Sequence, residues 1–289
     1  MKKNTQKQKP NEVLPHPRKK RFRFSAVYIT IFLFVTYVPI IATVVYSFNA
    51  SKLTSIWSGL SIKWYVELFS DEDLWESLVN SLLLATCSSL SATIIGTMGA
   101  LGIQRTKTRF GGTVAYIALI PIMMPEIILG MVFLSVFSLM GLPFGMTTLV
   151  IAHTTFCVPY IYSMVKARLV GMDPAMQEAA KDLGASSARA FFDVTLPLIA
   201  PAILSGAILA FAMSFDDVVI SIFVTGPTVN TLPIKIYTRL KTGVTPEINA
   251  LCAVLLLFTI FLMIISNISR NFNKNLDKNG KVKPDVQKA

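Results

Sequence analysis

The sequence is short of charge and of histidine, and each shortage narrows the possible functions. Only 15% of the 289 residues are charged while 53% are hydrophobic, which is more apolar than a water-soluble domain usually is. The two histidines are His16, in a polar tail, and His153, in an apolar run, and neither has a cysteine, aspartate or glutamate at metal-ligand or nucleophile–base spacing. We therefore expect neither metal nor cofactor, and a polytopic membrane enzyme is the alternative from another class.

Cysteine pairs and phosphate-binding loops are also missing. Cys87, Cys157 and Cys252 lie singly in apolar runs without a CxxC spacing, which is typical of small buried hydrophobes and not of disulfides or metal ligands. No Walker A loop occurs, so nucleotide hydrolysis is not expected in this chain. The net charge of +11 lies in tails and short loops without an aromatic-interleaved basic face, so we expect no nucleic-acid partner.

What the sequence does have is apolar runs as long as a bilayer is thick. They predict an all-α integral membrane protein with six transmembrane helices and with lipid as a partner. The runs are residues 25–48, 78–103, 113–139, 147–165, 198–224 and 248–268. We expect a basic tail over 1–24, a six-span transmembrane domain over 25–269 and a second tail over 270–289. Six spans place both termini on the same side.

The distribution of basic residues predicts which side that is. Of the 27 lysines and arginines, 22 lie in the tails and in the loops after the second and fourth runs, and five lie in the opposite loops. By the positive-inside rule both termini are cytoplasmic. The first outer loop is acidic, and a solvated loop is favoured there over a cation-collecting surface. Its acidic residues are Glu67, Asp71, Glu72, Asp73 and Glu76.

The cytoplasmic segment 173–197, between the fourth and fifth runs, predicts a helix-turn-helix. Asp173 and Pro174 form an N-cap and first-turn pair, Gly184 is placed to stop the helix, and Ser186 or Ser187 can cap a second short helix. Leu196-Pro197 is expected to break the chain before the fifth span. An apolar stripe with small residues favours protein docking over an amphipathic loop lying on the membrane. The stripe is Met176, Ala179, Ala180 and Leu183.

The spacing in this segment resembles a family signature. Glu178-Ala179-Ala180, three residues, Gly184, nine residues, Val194, one residue and Leu196-Pro197 is similar to the EAA motif of type I ABC importer permeases, with valine where isoleucine is usual. The resemblance implies the type I ABC importer permease fold in a bacterial plasma membrane. It implies a cytoplasmic ATPase dimer, a second homologous permease subunit and an extracytoplasmic substrate-binding protein as partners. The implied coupling residues are Glu178, Ala179, Ala180 and Gly184.

Three acidic residues inside the spans are candidates for a substrate pathway, because a carboxylate at membrane depth is costly. Glu126 follows two prolines that are expected to bend the third span toward a cavity, and Asp216 and Asp217 lie in the outer half of the fifth. The alternatives are a neutral or helix-satisfied Glu126 and an aspartate paired with Lys235 or Arg239. Acids without basic residues in the spans favour a cationic cargo.

A narrower resemblance points to the cargo. Parts of residues 214–250, together with Met124-Pro125-Glu126, are similar to the second permease of spermidine/putrescine importers, although the family usually has aspartate in place of Glu126. This implies polyamine import. Ferric iron, thiamine or another solute remain alternatives within the transporter class, and a passive channel does not account for the docking segment. Outer aromatic side chains, more typical of interface anchors, can also contact cations. They are Trp57, Trp64, Tyr65, Phe215 and Tyr237.

Overall fold

The computed structural model describes residues 24–53, 56–105, 111–173, 175–243, 246–260 and 264. Every named element of secondary structure in these residues is a helix. The predicted all-α class is confirmed. The helices are α1 (Phe24–Tyr46), α2 (Lys63–Ser70), α3 (Glu72–Arg105), α4 (Gly111–Met123), α5 (Glu126–Leu139), α6 (Met146–Val170), α7 (Ala175–Asp182), α8 (Ser187–Ala190), a π-helix (Phe191–Thr195), α9 (Leu196–Asp216), α10 (Val219–Val224), α11 (Leu232–Thr242) and α12 (Pro246–Ile260).

Four helical stretches are long and apolar enough to cross a membrane, and a bent pair makes up to five. The four are α1, α3, α6 and the continuous helical run from Ser187 to Asp216, and the pair is α4 with α5. In α12, 15 residues are described. Seven of the 21 residues of the sixth predicted span lie outside the described residues, as do tail residues 1–23 and 270–289. The count of six therefore stays a prediction.

The α6 helix lies at the centre of a bundle with α3 and α9. It is the most buried of the span-length helices, whereas none of the apolar window of α1 is buried within the chain. Glycines let the three axes approach, because a Cβ at Gly96 would lie 3.0 Å from the Cβ of Ile161 and one at Gly206 would lie 3.4 Å from its Cγ1. A smaller apolar cluster packs α2 and α11 against the beginning of α3 and α12.

Two of the predicted spans are interrupted. Residues 113–139 form two helices that meet at 109°, because Pro125 has no N–H to continue the helix. The run 198–224 is not one helix either, since α9 ends at Asp216 and Asp217 has extended backbone angles of φ −67° and ψ 127°. Both interruptions place carboxylates at helix ends.

The expected break at Leu196-Pro197 is wrong. Pro197 lies in the first turn of α9, where the missing N–H is tolerated, and the π-helix before it joins α8 to α9 without an interruption. The helical run from Ser187 therefore continues through 30 residues to Asp216. One continuous helical run connects the segment 173–197 with the region of the acidic residues.

Candidate functional site

The segment 173–197 has local caps at the positions where the sequence places them. The Asp173 carboxylate accepts the N–H of Ala175 at 2.9 Å, and Pro174 lies outside the described residues. Gly184 has a φ of 86°, the left-handed conformation that favours glycine, and the Ala185 N–H donates to the Ala180 carbonyl at 3.0 Å. The Ser186 hydroxyl accepts from Arg189 N–H at 3.3 Å and caps α8. Two short helices joined by a glycine turn result.

The coupling residues implied by the EAA resemblance lie on the outside of this segment. Glu178, Ala179 and Gly184 are exposed, Ala180 is half-buried, and no residue of α7 is buried. Leu183, the end of the apolar stripe, is 90% exposed. The stripe therefore has little cover from the described part of its own chain.

One contact of this segment has no signature in the sequence. Gln177 Nε2 donates to the Thr195 hydroxyl at 2.5 Å, and Thr195 is buried at the end of the π-helix. In addition, Arg168 Nε at the end of α6 donates to the Leu198 carbonyl at 2.9 Å. These two bonds attach α7 and α6 to the beginning of α9. A glutamine 18 residues from its partner gives no periodic signal, which is why sequence reasoning missed it.

The three predicted acidic residues come together in one cleft. Glu126, Asp216 and Asp217 line a cleft of about 360 Å³ together with Phe156 and Met213, and the described residues of its lining include no lysine or arginine. Glu126 is the first residue of α5 and Asp216 the last of α9, so the two helix interruptions bring them to the same space. The cleft favours a cation that offers more than one positive group.

The two adjacent aspartates have different surroundings. The Asp216 side chain is exposed to the cleft, whereas the Asp217 side chain is only 6% exposed. Asp217 accepts the N–H of Ser221 at 2.8 Å and of Ile220 at 3.2 Å, which caps α10. Asp216 and Glu126 are consequently the carboxylates that remain open to a cargo.

The expectation that an aspartate pairs with Lys235 or Arg239 is wrong. Lys235 Nζ lies 2.9 Å from Asp73, and Arg239 pairs with Asp71 and, at 2.5 Å, with Glu247. The acidic outer loop is thus partly used in ion pairs and is not simply solvated. Burial would raise the pKa of Asp71, but the Arg239 guanidinium and the Leu74 N–H more than offset this and hold that pKa below its usual value.

His153 has contacts beside this cleft that sequence reasoning missed. Its Nε2 lies 3.4 Å from Asp217 Oδ2 and 3.0 Å from Ser221 Oγ, and its Nδ1 lies 2.8 Å from Ser214 Oγ. The expectation that His153 has no acidic partner was based on spacing along the chain. Its partner, Asp217, lies 64 residues away in the sequence. Only the packing of α6 against the end of α9 brings them together.

Of the outer aromatic side chains, two lie next to the acidic cleft. Phe215 and Tyr237 line an adjoining cavity of about 320 Å³ that also includes Asp216. Trp64 is buried, with its Nε1 donating to the Asn49 carbonyl at 2.7 Å, and therefore packs inside the outer cluster. Phe215 and Tyr237 are thus the aromatic rings placed to contact a cation near Asp216.

Clusters of metal-binding side chains are not found within the described ranges. No group of three histidine, cysteine, aspartate or glutamate residues there has a geometry that could hold a metal ion. The acidic cleft contains three carboxylates but does not bring them into such a group.

Comparison with known sequences gives a family and several relatives. Residues 92–279 match the model of the binding-protein-dependent transport system inner membrane component. The chain is 40% identical over 232 residues to the spermidine/putrescine transport system permease protein PotC of Escherichia coli, covering 80% of this chain and 88% of that protein. It is 41% identical over 228 residues to the putrescine transport system permease protein PotI of the same organism, covering 76% and 81%.

Solved structures show the same fold at low sequence identity. A chain of the bacterial alginate ABC transporter, in complex with an alginate-bound periplasmic protein, matches with a TM-score of 0.67 and 19% identity, covering 87% of this chain and 94% of that one. A chain of the MetNI methionine ABC transporter matches with a TM-score of 0.57 and 20% identity, covering 70% and 98%. The helical arrangement around α3, α6 and α9 is therefore that of ABC transporter membrane subunits.

Proposed function

The chain belongs to the family of inner membrane components of binding-protein-dependent transport systems, and from this premise we propose that it forms part of the translocation path of an ATP-driven polyamine importer. It is a multi-pass transport subunit and not an enzyme, and ATP hydrolysis takes place in a partner subunit. The relatives named as spermidine/putrescine and putrescine permeases support the cargo class.

The acidic cleft is the observation that carries the cargo proposal. Glu126 and Asp216 present carboxylates to one space, and no lysine or arginine is among the described residues that line it. Putrescine carries two ammonium groups and spermidine three, so a path with separate carboxylates and neighbouring aromatic faces suits either of them. We assign Glu126, Asp216 and Asp217 to this substrate pathway, with Asp217 in its wall. Ferric iron and thiamine each have one cationic centre, so they would make fewer of the separate contacts that these carboxylates and aromatic faces offer.

The segment 173–197 is the proposed attachment for the ATPase. Its exposed stripe and small residues at Ala179 and Ala180 suit a cleft on a partner, and the Gly184 turn fixes the angle between α7 and α8. We propose that Glu178, Ala179, Ala180 and Gly184 couple the movement of a cytoplasmic ATPase dimer to α9. The proposed topology has six spans within residues 25–269, both termini in the cytoplasm, and tails over 1–24 and 270–289.

The remaining partners complete the importer. A structural relative solved in complex with a periplasmic protein supports a substrate-binding protein on the outer side. We propose a second homologous permease as well, because Glu126 and Asp216 stay exposed in the single chain. No cofactor is proposed for this chain.

Reconstituted transport tests the proposal. The chain is assembled in proteoliposomes with its ATPase, second permease and binding protein, and ATP-dependent uptake of labelled putrescine, spermidine, ferric iron and thiamine is compared. We expect uptake of a polyamine and no competition from ferric iron or thiamine. Uptake of iron or thiamine without polyamine uptake would refute the cargo, and transport without ATP would refute the coupling.

A further inference from the structure

A buried polar network joins four helices behind the acidic cleft. It consists of Ser88 on α3, His153 on α6, Ser214 on α9, Ser221 on α10, and Asp217 between α9 and α10. The side chains of His153, Ser88 and Ser221 are fully buried, and Ser214 is 2% exposed. Polar groups so deep inside an apolar bundle are costly unless each donor has an acceptor.

Counting the protons of this network shows which charge of the histidine allows all of its contacts to form at once. The Ser88 hydroxyl donates to the Leu84 carbonyl at 2.7 Å, so the contact of 2.8 Å between Ser88 and Ser214 needs the Ser214 proton. Ser214 then has no proton left for His153, and its contact with Nδ1 needs a proton on Nδ1.

The other side of the ring leads to the same requirement. The Ser221 hydroxyl donates to Asp217 Oδ2 at 2.9 Å, so its contact with His153 Nε2 at 3.0 Å needs a proton on Nε2. An arrangement that makes every contact at once therefore has protons on both ring nitrogens, which is the imidazolium cation. Either neutral tautomer leaves at least one of these contacts without a proton.

The aspartate has the surroundings of an ionised carboxylate. Asp217 accepts from two backbone N–H groups and the Ser221 hydroxyl, and its Oδ2 lies 3.4 Å from His153 Nε2. An ionised group buried to this extent requires an opposite charge nearby. Within the described part of the chain, the other titratable groups near the pair are Glu126 on α5, Asp216 on α9 and Cys157 on α6, and none of these is a cation.

We propose that His153 is a positioning residue of the translocation path: as a buried imidazolium it balances Asp217 and holds it in the cleft wall, leaving Glu126 and Asp216 as the two uncompensated carboxylates for the cargo. The part of this proposal that concerns the cargo rests on the proposed transport function. The charge of the His153 ring does not depend on that function. These two carboxylates match the two positive charges of a diammonium ion in number and are opposite in sign.

The first test measures the ring charge without any transport. The chain has two histidines, so His16→Gln leaves His153 as the only one. The complex is prepared with ¹⁵N-histidine in this chain and unlabelled partner subunits, and solid-state NMR is recorded at pH 7. We expect two protonated ring nitrogens in His153, and a neutral ring after Asp217→Asn. An unprotonated nitrogen in the parent, or an imidazolium that persists in Asp217→Asn, overturns the proposal.

The second test measures transport by the reconstituted complex. We expect His153→Gln to lower the maximal rate of polyamine uptake by about tenfold or more, because Asp217 loses its counter-charge. Combining His153→Gln with Asp217→Asn should recover a substantial part of that rate, since the pair is then neutral. A double variant no better than His153→Gln alone contradicts the balancing role.

A matched control separates this role from general damage to α6. Thr154 is the next residue, is also buried, and its hydroxyl has no hydrogen-bond partner within the described chain, so Thr154→Val should transport like the parent. Loss of uptake in both Thr154→Val and His153→Gln would assign the effect to packing and refute positioning. Absence of polyamine uptake by the parent complex would refute the proposed cargo, while the NMR result would still decide the charge of His153.

Discussion

The contribution of a single carboxylate, that of Asp216, to cargo binding can be tested by substitution. It lies at the end of α9 and borders both the acidic cleft and the adjoining cavity with Phe215 and Tyr237. A cargo ammonium group that leaves water for this position exchanges hydration for a charge-assisted hydrogen bond and aromatic contact. Asp216 thus stands between the carboxylate and aromatic parts of the path.

We predict that Asp216→Asn raises the half-saturating concentration of putrescine about tenfold, because a hydrogen bond to a charged group contributes about 1.5–3 kcal/mol. Asp216→Glu should retain part of the affinity, since the charge is kept. Uptake kinetics in proteoliposomes measure both variants. The control is Glu67→Gln, which removes an exposed carboxylate of α2, outside the cleft; an equal effect there would show that the whole acidic surface matters and not Asp216.

The outer ion pairs give a second residue-scale prediction, which concerns stability. The pKa of Asp71 is lowered in the folded chain, so its carboxylate stabilises the fold above the unfolded pKa of about 3.9, and this contribution is lost as the pH falls through the lower folded pKa. Asp71→Asn should therefore destabilise the protein by about 1–2 kcal/mol at pH 7. Thermal unfolding in detergent should show this difference at pH 7 and a smaller one at pH 3. An equal difference at both pH values would contradict the ion-pair explanation.

At the scale of the element, the helical run from Ser187 to Asp216 connects the proposed ATPase attachment with the acidic cleft. Gln177 bonds to Thr195, the last residue of the π-helix before α9, and Asp216 is the last residue of α9. Such π-helical turns often occur at functional positions in helices. A shift of α7 would thus move the cleft wall through one element.

We predict that Gln177→Ala and Thr195→Val each lower polyamine transport per ATP hydrolysed, while the ATPase still assembles and hydrolyses ATP. The reason is that α7 loses its side-chain bond to the π-helix. Parallel measurement of uptake and phosphate release gives the ratio, and the double variant should lose no more than either single variant. Ser205→Ala is the matched hydroxyl deletion on α9, because its only described bond is local, to Pro201, and it should leave the ratio unchanged.

Sequence reasoning could predict the elements that depend only on residues close together in the chain. Apolar length predicts that helices exist, Pro121 and Pro125 predict the bend before Glu126, and the cap at Ser186 and the turn at Gly184 follow from residue type. The π-helix has no comparable signal, so the continuation through Leu196-Pro197 was missed. The end of α9 at Asp216 and the beginning of α10 at Val219 were missed as well, because an apolar run does not show where the backbone turns.

The site could be predicted only in part, for a related reason. Glu126, Asp216 and Asp217 stand out because carboxylates are rare in apolar runs. His153 does not, since a lone histidine in such a run is usually a packing residue. Its meaning depends on a partner 64 residues away, and the same holds for Lys235 and Arg239, whose acidic partners at Asp73 and Asp71 lie more than 160 residues from them.

At the scale of the whole molecule, the distribution of charge predicts which parts of the chain face each side of the membrane. Most basic residues lie in the tails and in the loops after α3 and α6, and the outer loops are balanced by acidic residues that form ion pairs. The apolar surface of α1 has no cover within the chain, which suits lipid or another membrane subunit. The orientation follows from the positive-inside rule and requires direct measurement.

Two exposed leucines allow that measurement. Leu183 beside Gly184 is 90% exposed and Leu60 in the first outer loop is 79% exposed, so cysteine at either position should react with a water-soluble maleimide. In a variant without Cys87, Cys157 and Cys252, we predict that an impermeant maleimide labels Leu60→Cys in right-side-out vesicles and Leu183→Cys only in inverted ones. Transport by each variant serves as the control for folding. Labelling of both cysteines from the same side would contradict the topology, because an odd number of spans separates these loops in the six-span arrangement.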